Sequence, residues 1–136
     1  MITAVDTCVL LDVFGADPAF GTRSATAVRS CLAEGRLVAC EAVFAEVAGF
    51  FPSEDAAREA LEALGVAFAP IDRETALAAG ATWKRYRSRG GPRDRVAADF
   101  LIGAHAMRQA DRLLSRDRGF YRTSFHGLRV LDPSKS

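Results

Sequence analysis

The sequence predicts an α/β fold with a parallel sheet covered by helices on both faces. Short buried apolar strands alternate with helical stretches. The helix boundaries are marked by Asp, Ser, Gly and Pro at cap and stop positions. Acidic residues follow directly on the ends of the apolar segments, where α/β folds place their ligand sites.

Ile2 to Val5 is apolar and partly β-branched and leads into Asp6, which reads as a strand with an acid at its C-terminal end. Val9 to Phe14 predicts a short helix closed by Gly15. Asp17-Pro18 starts the next, with Pro18 suited to a first turn, and Gly35 stops it after Glu34. Arg36 to Cys40 is the second strand. Glu41 to Phe51 reads as a helix, with Val43, Val47 and Phe50 at helical spacing and Pro52 as terminator. Ser53 caps an acidic helix that ends near Gly65.

Val66 to Ile71 is the third strand. Asp72 caps a long helix that carries a basic run and is broken by Gly90-Gly91-Pro92. Asp94 to Ala110 is the next helix. Arg112 to Ser115 is the fourth strand, followed by Asp117 and a short turn or helix through Tyr121. Leu128 to Leu131 is the last strand, and the tail after Asp132 is polar. Right-handed crossovers distribute the helices to both sides of the sheet.

A chain of 136 residues is expected to form one domain, residues 1–136, with a substantial core. Its 49% hydrophobic and 26% charged residues are those of an ordinary globular protein. No apolar run is long enough to span a bilayer, and the start carries an acid and no basic n-region. Cys8, Cys31 and Cys40 are odd in number and lack C-x-x-C spacing, which argues against a disulfide framework or a zinc site. The expectation is a cytoplasmic protein that does not engage a membrane.

The formal net charge is +1, yet the charges are segregated. Lys84, Arg85, Arg87, Arg89, Arg93 and Arg95 crowd one stretch, while Glu54, Asp55, Glu59 and Glu62 make an acidic helix. A near-neutral chain can thus present one strongly positive face.

Four acids, Asp6, Glu46, Asp99 and Asp117, carry the candidate chemistry. Asp6 and Asp117 follow strands. Asp99 lies early in the helix built from Val96, Phe100, Leu101 and Ala104, on a face with the small residues Gly103 and Ala106. Glu46 interrupts an apolar helix. Singly, each acid is more often a cap, a turn former or a solvated side chain. Jointly they form a constellation that a divalent cation would hold together, because neighbouring carboxylates resist ionising side by side and the cation reverses that preference. Oxygen-only ligands suit Mg²⁺, with Mn²⁺ as a substitute. Such an ion activates water and stabilises charge in phosphodiester hydrolysis. Asp6, Asp99 and Asp117 are the expected direct ligands, and Glu46 binds through water or orients the attacking water.

The stretches around these acids resemble the PIN domain, specifically the VapC-type toxins of bacterial toxin–antitoxin pairs. The resemblance begins at I-T-A-V-D-T-C-V-L-L-D-V and continues through E-A-V-F-A-E-V, with its acid at Glu46. It is strongest in P-R-D-R-V-A-A-D-F-L-I-G-A-H-A, which places an acid at Asp99, and R-L-L-S-R-D-R-G-F-Y supplies Asp117. It implies a three-layer α/β/α sandwich around a parallel sheet, Mg²⁺-dependent endoribonuclease activity, a cognate antitoxin as partner and a homodimer. Thr7 and Ser115 correspond to supporting hydroxyls that bond the carboxylates or metal-bound waters. Cys8 stands where Asn is frequent, and Ser115 where Thr is frequent.

The basic run leads toward Asp99, and Arg116 and Arg118 flank Asp117. Arg93, Arg95, Arg116 and Arg118 are therefore candidates to hold an RNA backbone beside the metal. Trp83 and Tyr86 are placed to stack on bases, with a core role for Trp83 equally consistent. His105 and His126 read as packed or surface residues, and Cys8 as buried with no His partner nearby. A haloacid-dehalogenase-type phosphatase is disfavoured because Cys8 stands where a second Asp is needed. The remaining alternative is a catalytically silent PIN-fold module that binds RNA or protein.

Overall fold

The structure, a computed structural model, describes residues 1–92 and 95–135. Arg93, a candidate RNA contact, and Asp94, the expected start of a helix, lie outside the described residues.

In chain order the elements are β1 (Ile2–Val5), α1 (Thr7–Phe14), α2 (Gly21–Glu34), β2 (Arg36–Ala39), α3 (Glu41–Ala48), α4 (Glu54–Leu64), β3 (Val66–Phe68), α5 (Arg73–Ser88), α6 (Ala97–Gln109), β4 (Arg112–Leu114), α7 (Arg118–Ser124) and β5 (Val130–Leu131). All pairings are parallel, in the order β3-β2-β1-β4-β5. The helices cover this sheet in the three-layer α/β/α arrangement that the sequence predicts. Among the described residues, no helix is long and apolar enough to cross a membrane.

The strand order places a topological switch at β1. The chain runs outward from β1 through β2 to β3, then returns to the other side of β1 as β4. Such reversals open a crevice at the C-terminal strand ends. Val5 pairs with Leu114, and the Asp6 N–H continues the ladder by donating to the Leu114 carbonyl at 2.9 Å. Asp6 and Ser115 therefore leave the sheet side by side.

The core explains the strand pattern. Val5, Leu37, Val38, Leu113 and Leu114 are all buried, as expected for strands covered on both faces. Arg112 is buried as well; it donates to the Thr3 hydroxyl at 2.9 Å and pairs with Glu34 at 3.0 Å. Without such partners a buried guanidinium would be strongly destabilising.

Several boundaries differ from the sequence reading, each for a local reason. Helix α2 begins at Gly21, because the Asp17 carboxylate accepts from the Ala19 and Phe20 N–H groups and makes Asp17–Phe20 a turn. Helix α3 stops at Ala48: Gly49 caps it, and Phe50 and Phe51 pack edge to face. Strand β3 is only Val66–Phe68, with the Ala69 N–H making one further bond to Ala39. Helix α6 begins at Ala97, with Val96 still extended. The caps at Ser53 and Asp72 form as read, accepting from Ala56 N–H at 3.1 Å and Thr75 N–H at 2.8 Å.

Gly103 accounts for the small face of α6. A Cβ there would lie 2.3 Å from the Phe125 ring. Gly103→Ala is expected to lower stability by about 1–3 kcal/mol through overpacking, and Phe125→Leu in the same chain to recover part of it. Equal melting temperatures for Gly103→Ala and the parent would show that the ring yields freely.

Candidate acidic site at the sheet switch point

Asp6 is the floor of the site. It is the N-cap of α1, and its Oδ1 accepts from the Thr7 N–H at 2.8 Å. The Ser115 hydroxyl donates to Oδ2 at 2.7 Å and accepts from the Asp117 N–H at 3.0 Å. One hydroxyl thus ties the acid after β1 to the acid after β4. Tyr121, buried on α7, also acts on Asp6 as a hydrogen-bond donor.

Asp6 is only 8% exposed. Burial pushes its carboxyl above the ordinary value, the hydrogen bonds from Ser115, Thr7 and Tyr121 oppose that push, and the Asp99 charge adds to it. The same burial and the Asp6 and Asp99 charges push the Tyr121 hydroxyl up, keeping it a donor. Cys8 is half-buried with its Sγ 3.8 Å from Asp6 Oδ2. Burial and the Asp6 charge push its thiol up to about 12, so it remains protonated at neutral pH and is a poor nucleophile.

The other acids line the rim. Asp99 lies in the first turn of α6, half-buried, and its Oδ2 accepts from the Val96 N–H at 3.2 Å. Glu46 is exposed on α3 and accepts from the Thr7 hydroxyl at 2.6 Å. Asp117 precedes α7, and Arg95 grips it with both terminal guanidinium nitrogens while lying 4.3 Å from the centre of the Phe120 ring.

The four acids thus connect to one local network. Thr7 joins Asp6 to Glu46, Ser115 joins Asp6 to Asp117, and Asp99 acts on Asp6 through space. Among the described residues, no three acidic, histidine or cysteine side chains stand together as one ion's ligands. Asp117, one of the expected direct ligands, is engaged by Arg95, and Glu46, expected to act through water, accepts from the Thr7 hydroxyl. The donor chemistry fits a hard cation at Asp6 and Asp99, since Mg²⁺ is commonly held by one or two carboxylates and keeps several waters.

Arg116 was a candidate for phosphate contact. Its guanidinium forms a two-point pair with buried Asp12, at 2.7 and 3.0 Å, and lies 4.1 Å from the centre of the Phe20 ring. The Ser24 hydroxyl donates to the same Asp12 at 2.8 Å. Arg118 opens α7 half-buried. His105 is buried in α6, and burial pushes its imidazole down, so it is no basic group of the site.

Two features escaped the sequence reading. Tyr121 follows Asp117 by one helical turn, a spacing that turns it back toward the strand ends, but a lone Tyr gives no local sign of its target. Asp12 sits among the apolar residues of α1, and that interruption was the available signal.

The raised Asp6 value sets the sign of a pH effect. The folded state holds the Asp6 proton more tightly than the unfolded chain, with its ordinary value of 3.8. Stability therefore falls as pH rises from that value through the folded one, and stays reduced above it. In EDTA at neutral pH, Asp6→Asn is expected to melt at a higher temperature than the parent, the gap narrowing as pH falls toward 3.8. Added Mg²⁺ should raise the parent's melting temperature and leave the variant's unchanged. Parallel melting curves at every pH would contradict both.

The PIN domain family model matches residues 3–126. No curated protein matches the chain significantly in sequence. Among solved structures, VapBC2 from Rickettsia felis, bound to a DNA fragment from its promoter, is similar with a TM-score of 0.74 at 16% identity, covering 97% of this chain and 98% of that one. VapBC-1 from nontypeable Haemophilus influenzae gives 0.74 at 19%, covering 99% and 100%. FitAcB from Neisseria gonorrhoeae gives 0.71 at 20%, covering 100% of both chains. At these identities the likeness is one of fold.

Proposed function

The chain belongs to the PIN domain family, and from that premise we propose that it is a Mg²⁺-dependent endoribonuclease, the toxin of a VapBC-type toxin–antitoxin pair. The observation that carries the proposal is the buried Asp6 carboxylate at the switch point, acted on by Asp99 and tied through Thr7 and Ser115 to Glu46 and Asp117. A site with several carboxylates gathered in one local network is suited to a divalent cation.

Asp6 and Asp99 would hold the cation, and Asp117 would join them on release from Arg95. When bound, the ion neutralises phosphodiester charge and makes water a stronger nucleophile. The chain's own residues set the stage. Ser115 and Thr7 orient Asp6. Tyr121 also acts on Asp6 as a hydrogen-bond donor. Glu46, exposed and bonded to Thr7, would orient water. Arg95 and Arg118 are the candidate contacts to the RNA backbone among the described residues.

A cognate antitoxin as partner and a homodimer are part of the same reading. Solved structures of similar fold include a toxin–antitoxin complex from Klebsiella pneumoniae, at 20% identity and a TM-score of 0.68.

One observation favours a second reading, a catalytically silent module that binds RNA or protein: Arg95 already supplies a positive charge to Asp117. Cleavage assays separate the two. Purified protein, free of antitoxin, is expected to cut tRNA or rRNA fragments with Mg²⁺ or Mn²⁺ and not in EDTA. Asp6→Asn and Asp99→Asn should lower the rate by roughly a hundredfold or more, at least the upper end of what removing a ligand's own hydrogen-bond partner costs, with the fold intact by circular dichroism. RNA left uncut across metals and concentrations would favour the silent module.

A further inference from the structure

Helix α5 ends in a loop, Gly90-Gly91-Pro92, that folds back on the helix's last turns. The Tyr86 hydroxyl donates to the Pro92 carbonyl at 3.0 Å. Gly91 lies so close to the Tyr86 ring that a Cβ would come within 2.5 Å of it, and Gly90 takes a φ of +74° that glycine adopts without strain. Helix and loop border a partly open cavity of about 550 Å³ lined by Trp83, Tyr86, Arg87, Gly91, Pro92 and Arg95.

The aromatic walls are braced from behind. Trp83 stacks on buried Phe100 with centroids 5.9 Å apart and planes at 17°, and Tyr86 meets the same ring edge to face at 5.3 Å. Arg87, an exposed side chain, lies 5.1 Å from the centre of the Trp83 ring. Arg95 forms another wall and is the residue that grips Asp117. One side chain therefore belongs both to the cavity and to the acidic site.

We infer that this cavity is a base-binding subsite that takes an unpaired nucleotide of the RNA strand entering the acidic site. The inference rests on the nuclease reading for the identity of the polymer. Aromatic rings beside guanidinium groups are the surface on which unpaired bases stack. The charged residues that line the cavity, among those described, are both arginines, which suits an anionic strand. The volume is in the range of about 300–1,000 Å³ that holds small ligands. In a duplex the bases are stacked on one another and unavailable to the cavity.

Trp83 is the chain's one tryptophan, so its emission reads the cavity directly. The whole chain is titrated in EDTA, which prevents metal-dependent cleavage, with a short single-stranded oligoribonucleotide. Its annealed duplex, an abasic strand of equal length and an acidic peptide serve as comparisons. The single strand is expected to quench Trp83, and the abasic strand to bind roughly tenfold more weakly with little quenching. The duplex should not quench. Arg87→Gln, at an exposed position, should weaken the single strand by about three- to tenfold.

A single strand that fails to bind, or that binds by anisotropy with Trp83 emission unchanged, overturns the inference. So does an abasic strand that quenches equally, or an acidic peptide that quenches at lower concentration than the RNA. Quenching without cleavage once Mg²⁺ is added sinks the nuclease reading and leaves the base subsite standing. Cleavage with silent Trp83 does the reverse.

Discussion

A carboxylate held out of water at the ends of two paired parallel strands is the constraint around which this molecule is arranged. Asp6 leaves β1 where the order of strand addition reverses, beside Ser115 at the end of β4. Its burial makes its charge costly. The Thr7 N–H, the Ser115 hydroxyl and Tyr121 offset part of that cost, and Asp99 adds to it. The same backbone ladder that stabilises the sheet fixes this position, so the charge cannot escape by a small rotation of the chain. What remains unbalanced is negative, and it faces the crevice.

Two arginines answer that charge at the edges. Arg95 pairs with Asp117 and lies over Phe120, and Arg116 pairs with Asp12 and lies over Phe20. The two pairs differ in kind. Asp12 is buried and also bonded by Ser24, so removing Arg116 would strand a charge in the interior. Asp117 is partly exposed, with its side chain 37% accessible, so water can take over from Arg95 at lower cost. Arg116 therefore serves the frame, whereas Arg95 is the cation that can exchange its partner.

Much of this was legible in the sequence because it depends on short-range rules. The strand end at Val5, the caps at Ser53 and Asp72 and the small face at Gly103 follow from periodicity, cap chemistry and residue size. Helix boundaries slipped where a side chain competed with the backbone, as Asp17 does before α2. The arginine partners were not legible. A run of basic residues predicts a positive surface, but Arg116 reaches Asp12 across more than a hundred residues of chain. Such pairings depend on which elements the topology brings together, and local pattern carries no information on that. The same holds for the acids: the positions of Asp6 and Asp117 just after β1 and β4 could be read from the strand ends, while the engagement of Asp117 by Arg95 could not.

The segregation of charge has a consequence for approach. An acidic crevice repels a polyanion, and a near-neutral chain has no overall field to overcome that repulsion. Under the nuclease reading, attraction has to be local, within roughly a Debye length, about 8 Å at physiological salt. The cationic end of α5 would provide it. Arg87 lies beside Trp83, and Arg95 reaches both the cavity and Asp117. Under the nuclease reading, a strand that engages Arg95 competes with Asp117 for the same guanidinium. Arrival of the phosphate backbone would then free the Asp117 carboxylate at the moment a cation is needed beside it. Binding of the strand and readiness of the acid site become one equilibrium, coupled through a single side chain, because its two partners are both anions and cannot both hold the same donors.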